Sequence, residues 1–415
     1  MGIRKHITTL LLILLGIQSL QSQEWRVIDS LIEQQVKAGQ ISGGVAYVYL
    51  RNQIVLQKAY GLSDIERQQP MQVSSIFRIA SNTKIIVSIA VLQMAESGLI
   101  GLDEPIEKYL PEFLNQKVVK AVGDSFMLVE RNRSVTIRDL LTHQSGIASA
   151  DEFPARRALF IRYGLNQNLS TSFPSLKEEV TQIAKMPLMH QPGERFSYGL
   201  STNVLGRLIE LVSGTSLDVY LQKNIFKPLG MKDTYFYLPP RKAARLAKVY
   251  VKNSAGQLEA FSSSAVNIDY PLVKGSRYFS AIGGLVSTVA DLGKFLVCLL
   301  EEGEVAGRRI IGKEMLEQFW SNQLGNKTFI FGGVPSLNNF GLGVGLTTKA
   351  GQKINGASEG TFFWGGAFNT AYMVDRKRRL ITIFFFQRTP FVLPGVLSQL
   401  EKVTIQLVEG SKNKQ

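Results

Sequence analysis

The sequence predicts an α/β (α+β) fold, an antiparallel sheet flanked by helices with a large, mostly helical insertion. Three observations predict it. β-Branched and aromatic runs with turn signals sit near both ends of the chain, and helical periodicity fills the middle. No internal repeat or low-complexity linker divides the 415 residues, whose 45% hydrophobic and 19% charged content is that of an ordinary globular chain.

Residues 1–22 read as a secretory signal peptide. Arg4 and Lys5 form a basic start, Ile7 to Ile17 is an apolar run too short to cross a bilayer comfortably, and small and polar residues lead to Ser22. No Cys lies near that cut, so a periplasmic or secreted protein without a lipid anchor is expected. In 25–38, Val27, Ile28, Leu31, Ile32 and Val36 fall on helical spacing. "GGVAYVYL" and "NQIVLQKAYG" then read as two strands joined at Arg51-Asn52. The stretch from Ser81 opens an apolar helix stopped near Gly98.

From 101 to 275 helices and long loops are expected. "TIRDLLTHQSGI" begins with Thr136 and Asp139 at capping-box spacing. "TNVLGRLIELVSG" ends at Gly214, and "SLDVYLQKNIFKPLG" is stopped by Pro228 and Gly230. "STVADLGKFLVCLLEEG", with Asp291 as its expected cap, and "KEMLEQFW" are further helices. "FGLGVGL" (340–346), "TFFWGG" (361–366), "NTAYMVD" (369–375) and "LITIFFFQ" (380–387) read as strands, before a closing helix. The expected division is a sheet domain of 23–100 plus 276–410, a helical lobe of 101–275 and a disordered tail of 411–415.

The formal net charge is +14, of which Arg4 and Lys5 supply two. The excess is scattered, and the cluster Arg376, Lys377, Arg378 and Arg379 reads as a turn between strands. No basic stripe with aromatic platforms is present, so no nucleic-acid partner is expected, while attraction to an acidic cell wall stays open. The single Cys298 sits in "KFLVCLL" and reads as a core residue; there is no Cys cluster, and neither a metal nor a cofactor is expected.

Ser81 and Lys84 stand three residues apart at a helix start, on one face. A serine hydroxyl needs a base within hydrogen-bond reach, and a lysine serves as one when burial lowers its pKa. The apolar residues after Lys84 suit that purpose, and the helix start offers the Ser81 N–H to an oxyanion. A second S-x-x-K, Ser411 to Lys414, opens no helix and carries no such reading.

"FRIASNTK", "LLTHQSGI", "QPGERFSYGLSTNVLGRLIE", "IFKPLGM" and "IGGLVSTVADLGKF", in this order, resemble the serine β-lactamase and penicillin-binding-protein-like superfamily over roughly residues 25–400. The chain looks nearest to class C β-lactamases, D-amino-acid-type peptidases and β-lactamase-like carboxylesterases. The resemblance implies a β-lactamase/transpeptidase-like fold and a cleft formed by Ser81 and Lys84, by Tyr198 in place of the Y-x-N tyrosine, and by "WGG" (Trp364, Gly365, Gly366) in place of K-T-G. It implies that Ser81 attacks, that Lys84 and Tyr198 share its proton, and that the Ala367 N–H is the second oxyanion donor. Gly365 and Gly366 are expected to let substrate approach the strand edge.

Two positions depart from the pattern. The Y-x-N asparagine is Leu200, and Asn203 is not expected to replace it. The K-T-G lysine is Trp364, which offers an apolar wall and one N–H but no charge for a substrate carboxylate. The expected activity is therefore hydrolysis of carboxylic esters through an acyl-enzyme on Ser81. The alternatives are a β-lactamase or D-Ala-type peptidase acting on cell-wall-like amides, and a non-catalytic binding protein of the same fold. Arg388 is expected to be a solvated strand-end residue, though it could instead supply a charge at the cleft. His143 is expected to be a hydrogen-bonded structural residue, and Gly283 and Gly284 to shape a turn near the site.

Overall fold

Strands from the two ends of the chain meet in one sheet. In the computed structural model, which describes residues 25–123, 125–165, 173–263, 266–331, 333–391 and 394–412, the sheet is eight-stranded and antiparallel. Its strands are β1 (Gly43–Leu50), β2 (Gln53–Asp64), β3 (Gln69–Pro70), β4 (Asn339–Phe340), β5 (Gly345–Leu346), β6 (Phe362–Gly366), β7 (Thr370–Asp375) and β8 (Leu380–Phe386), in the spatial order β4-β5-β6-β7-β8-β1-β2-β3. β1 pairs with β8 from Gly44↔Phe386 to Leu50↔Leu380, which closes the N-terminal hairpin onto the C-terminal strands. Arg51 and Asn52 both take positive φ (48° and 72°), as a tight two-residue hairpin requires.

The central strands are buried on both faces because helices cover both. On one face α1 (Arg26–Lys37) and the last helix pack Ile28, Ile32 and Leu400 against Val48, Met373 and Phe384. On the other lie α2 (Thr83–Glu96), α3 (Ile137–Leu141), α4 (Leu176–Lys185), α5 (Ser201–Ser213) and α6 (Val289–Leu300), around a larger core shared with Val45, Tyr47 and Ile383. The last helix, α7 (Pro394–Lys412), continues into the segment expected as a tail. The expected signal peptide and the Ser411–Lys414 match fall wholly or partly outside the described residues. α2 is buried on nearly every side from Thr83 to Leu92, as its almost uniformly apolar sequence demands. α6 lies close on the sheet: a Cβ at Gly293 would come within 2.8 Å of the Tyr47 ring.

Several local expectations are corrected. "FGLGVGL" is two short strands folded back at Gly343 (φ 98°), where a Cβ would fall 2.0 Å from Ser88 Oγ on α2. Two hairpins in the middle of the chain, Val118–Val122 with Ser125–Val129 and Tyr250–Lys252 with Leu258–Ala260, escaped the periodicity because the first is largely exposed, the second is only three residues long on each side, and neither carries a clean alternation. Pro228 does not stop its helix. A π-turn at Gln222–Phe226 widens the backbone ahead of it, and Gly230 in the left-handed conformation ends the run. The cap of α6 is Thr288, whose side chain accepts the Asp291 N–H; the Asp291 carboxylate instead accepts from the Asp233 N–H at 2.6 Å and from Thr234.

The glycines of β6 divide by role. A Cβ at Gly366 would lie 2.3 Å from Thr370 Oγ1 and 2.5 Å from the Ile79 carbonyl, so this glycine lets β6 pack against the turn that carries Ser81. Its need for no side chain thus has an internal cause, although Gly366 also lines the cavity beside Ser81. A Cβ at Gly365 would meet only ordinary contacts, at 3.4 Å and beyond. Thermal unfolding should therefore separate the two: Gly366→Ala is expected to lose roughly 1–3 kcal/mol from overpacking, and Gly365→Ala to unfold within a degree or two of wild type. Equal effects would contradict this division.

Candidate active site

Ser81 lies in a short helical turn, Ala80–Asn82, that leads directly into α2. Ala80 takes a positive φ of 44°, an uncommon conformation for a residue with a Cβ, and it is held there by its surroundings. Thr370 Oγ1 donates to the Ile79 carbonyl at 3.2 Å, Asn82 donates to Thr370 Oγ1 at 3.2 Å, and the Leu285 carbonyl accepts the Ile79 N–H at 3.1 Å. Ser81 is left partly exposed at the floor of a cavity of ≈ 690 Å³.

Lys84 follows one turn later, buried, with Nζ 3.1 Å from Ser81 Oγ. It also donates to the Ile282 carbonyl at 2.6 Å and lies 4.8 Å from the centre of the Tyr198 ring. Burial alone pulls its pKa from 10.5 to about 7. Near neutrality a large share of the amine is therefore unprotonated and able to accept the Ser81 proton. The Ile282 carbonyl is itself fixed by neighbours that sequence reading missed. The Ile282 N–H donates to Asn203 Oδ1 at 3.0 Å, and Asn203 donates to the buried Glu179 at 2.6 Å, which also accepts from Tyr278 at 2.8 Å. Asn203 is thus a support behind Lys84, not a substitute for the amide lost at Leu200, whose side chain is buried in the core. The turn that carries Gly283 and Gly284 adjoins this site, as expected.

Tyr198 is positioned by the "THQSG" segment. The Ser197 N–H bonds the His143 carbonyl at 2.8 Å, Ser145 and Ser201 share a hydrogen bond of 2.9 Å, and Gly199 packs so closely that a Cβ would fall 2.2 Å from the Ala148 carbonyl carbon. Burial raises the Tyr198 pKa to about 12, against hydrogen bonds with Ser81 and Trp364 that lower it. It is therefore a neutral phenol over the ordinary pH range. His143 packs its ring 4.7 Å from Tyr198, and burial depresses its pKa to about 3. Its Nδ1 has no hydrogen-bond partner among the described residues, and the ring packs against Phe196, Tyr198 and Phe340.

Trp364 is buried on β6 and donates its indole N–H to Tyr198 Oη at 3.3 Å. Around it Phe329, Phe331 and Phe340 complete an aromatic wall with ring centres 5.3–6.2 Å away. The outer edge of β6 is unpaired from Trp364 to Gly366, since β5 bonds only Phe362 and Phe363. Ala367, just past that edge, is exposed and lines the cavity with Ser81. Sequence reading missed Phe329, Phe331, Arg157, Asn355, Phe391 and Glu401 on the cavity wall. They lie on loops, helices and one short strand whose placement no local pattern signals.

The remaining sequence assignments resolve as follows. Arg388 is buried and not solvated, and it turns away from the cavity to donate to the Gln40 backbone and side chain. Asp139 completes a capping box with Thr136. Cys298 is buried in α6, its thiol pushed up to about 12. Three members of the basic turn are occupied within the chain: Arg376 stacks on Trp320, Arg378 pairs with Asp375 and Glu409, and Arg379 pairs with Glu301.

Comparison with known proteins agrees with this architecture. The family model described as Beta-lactamase matches residues 28–397. Monacolin J acid methylbutanoyltransferase of Aspergillus terreus is 28% identical over 382 residues, covering 88% of this chain and 91% of that one. Esterase EstB of Burkholderia gladioli is 32% identical over 209 residues, 50% of each chain. The solved structure of EstCE1, a hydrolase with promiscuous acyltransferase activity, superimposes with a TM-score of 0.80 at 22% identity, over 92% of this chain and 99% of that one, which establishes the shared fold.

Enclosing Lys84 has a stability cost whose sign can be measured. The folded pKa of about 7 lies below the unfolded value of 10.5, so the unfolded chain binds the extra proton between those limits. Stability should rise with pH through that window, and the full penalty should stand below about pH 7. Lys84→Met is expected to raise the melting temperature at pH 6, by an amount on the order of a few kcal/mol of stability, and to flatten the rise above pH 7. A variant that melts lower than wild type at pH 6 would contradict the account.

Proposed function

The chain belongs to the Beta-lactamase family, and we propose that within it this serine hydrolase is an exported enzyme that cleaves carboxylic esters through an acyl-enzyme on Ser81. The observation that carries the reading is Lys84, buried, 3.1 Å from Ser81 Oγ and with its pKa lowered to about 7. Its substrate preference rests on Trp364, which stands at the lysine position of the K-T-G pattern that the chain resembles, and on the aromatic wall around it. The esterase and acyltransferase among the similar proteins support the same chemistry. Export rests on the N-terminal leader pattern.

In the proposed cycle neutral Lys84 takes the Ser81 proton as Oγ attacks the ester carbonyl. The Ser81 and Ala367 N–H groups receive the oxyanion. Collapse breaks the C–O bond, and the Tyr198 phenol, recharged from the Lys84 ammonium, delivers the proton to the departing alkoxide. Water then attacks the acyl-enzyme, gives its proton back through Lys84, and releases the acid and free Ser81. An alcohol in place of water completes an acyl transfer by the same steps. Because Tyr198 keeps its proton up to about 12, Lys84 is the first acceptor.

One observation favours the amide or β-lactam alternative. Arg157 lines the cavity and could meet a substrate carboxylate, although it is half exposed and 3.9 Å from Asp151. Intact Ser81, Lys84 and Tyr198 speak against a non-catalytic binding protein, which has no use for all three.

Kinetics on the mature protein decide between these. With p-nitrophenyl acetate and butyrate, turnover should be lost in Ser81→Ala and should exceed that on nitrocefin or a D-Ala-D-Ala peptide. Preference for the latter two would transfer the assignment to the amide reading. In the pH profile, kcat/KM should be lost as pH falls through about 7, where Lys84 becomes protonated, and should stay level to at least pH 9. A profile that instead rises only near the ordinary lysine pKa would overturn the lowered pKa of Lys84 and, with it, a base that works at neutral pH.

A further inference from the structure

The cavity does not stop at the Ser81 side of the sheet. Along β6, Trp364 faces the larger core, while Phe363 faces the layer built by α1 and α7. Gly365 pairs with Ala371, which belongs to that second layer. Even so, Ser81 and Trp364 line the same cavity as Phe363, Ala371, Leu397 and Glu401. The passage between the two sides runs around the unpaired edge of β6. Gly365 and Phe391 line the cavity at this edge, and a Cβ on Gly365 would come into ordinary contact with the Thr370 carbonyl at 3.4 Å and the Phe391 ring at 3.6 Å.

The chamber under α7 is lined by Ile354, Phe363, Ala371, Phe391 and Leu397, with Ser398 of α7 and one built polar pair. Asn355 donates to Glu401 Oε2 at 2.7 Å, and no Lys or Arg lies in ion-pair reach of Glu401 among the described residues. Burial pushes this carboxyl up to about 7, with the Asn355 bond working the other way. A carboxylate drawn out of water without a cation is a costly feature of a cavity wall, and a cationic ligand would remove that cost.

We propose that this chamber receives the part of the substrate beyond the scissile ester, and that Glu401, oriented by Asn355, selects an alkylammonium group there. The substrate class is then an ester with a primary amine several bonds from its carbonyl, lying around the edge of β6. The assignment rests on the esterase reading of the same cavity, and it makes Glu401 the specificity residue.

Two matched pairs test it. p-Nitrophenyl 6-aminohexanoate against the hexanoate places the amine on the acyl side, and 6-aminohexyl acetate against hexyl acetate places it on the alcohol side, with Ser81→Ala as the blank for spontaneous hydrolysis. In wild type one pair should show an ammonium preference in KM of about tenfold, the size of a charge-assisted contact. Glu401→Gln should bring that ratio to about one. The ratio is taken within each variant, so a general loss of activity cancels, and Glu401→Ala serves if the amide variant does not fold. No preference in either pair, or a preference that survives in both variants, overturns the proposal. Should no ester be turned over, calorimetry of hexylammonium against hexanol on Ser81→Ala separates the two claims. Selective, Glu401-dependent binding of the cation upholds the chamber while the esterase reading falls, and unselective binding overturns the chamber as well.

Discussion

An amine held out of water is the constraint on which the rest of this structure depends. Lys84 can serve as a base only if its charged form is penalised, and burial is the only cause acting on it. That burial requires α2 to be enclosed on nearly every side, so the sheet, α5 and the turn at Ile282–Leu285 must all close on one helix. The same enclosure fixes the turn before it. Gly366, Thr370 and Leu285 crowd the backbone of Ile79 and Ala80, so that Ser81 emerges with its hydroxyl toward the lysine. Such an arrangement sacrifices stability for reactivity, as buried catalytic groups commonly do.

The wall of the cavity is a different kind of surface. The aromatic side chains around Trp364 carry no charge, and the indole N–H is spent on Tyr198. That bond occupies a lone pair of the phenol oxygen and leaves its proton free for the serine side. The cavity then continues past a strand edge that lacks both a paired neighbour and a side chain at Gly365. One element, β6, therefore closes the reacting centre on one face and opens a second chamber on the other.

Much of the fold was legible in the sequence because its signals are local. β-Branched and aromatic runs with turn signals marked β1, β2, β7 and β8, and apolar spacing marked α2, α5 and α6. Where the reading failed, a long-range contact or a weak pattern was responsible. Gly343 bends "FGLGVGL" because Ser88 stands against it, and the hairpins at 118–129 and 250–260 are short and bury only single residues, Val118 and Tyr250, with no alternation to register. The correction at Asp291 is of the same kind, since its carboxylate is claimed by Asp233 and Thr234 from a distant segment.

By itself the sequence determined that Ser81 and Lys84 share one helical face, since an i, i+3 spacing at a helix start leaves no alternative. The ordered motifs added Tyr198 and the "WGG" edge. Only the tertiary structure decided that Lys84 is desolvated, that the His143 ring packs among aromatic neighbours, that Arg388 turns to Gln40, and that Glu401 lines the cavity with no ion-pair partner among the described residues. The physical reason is common to all four. Desolvation and cavity shape depend on which distant segments close around a group, and neither leaves a trace in the spacing of neighbours along the chain.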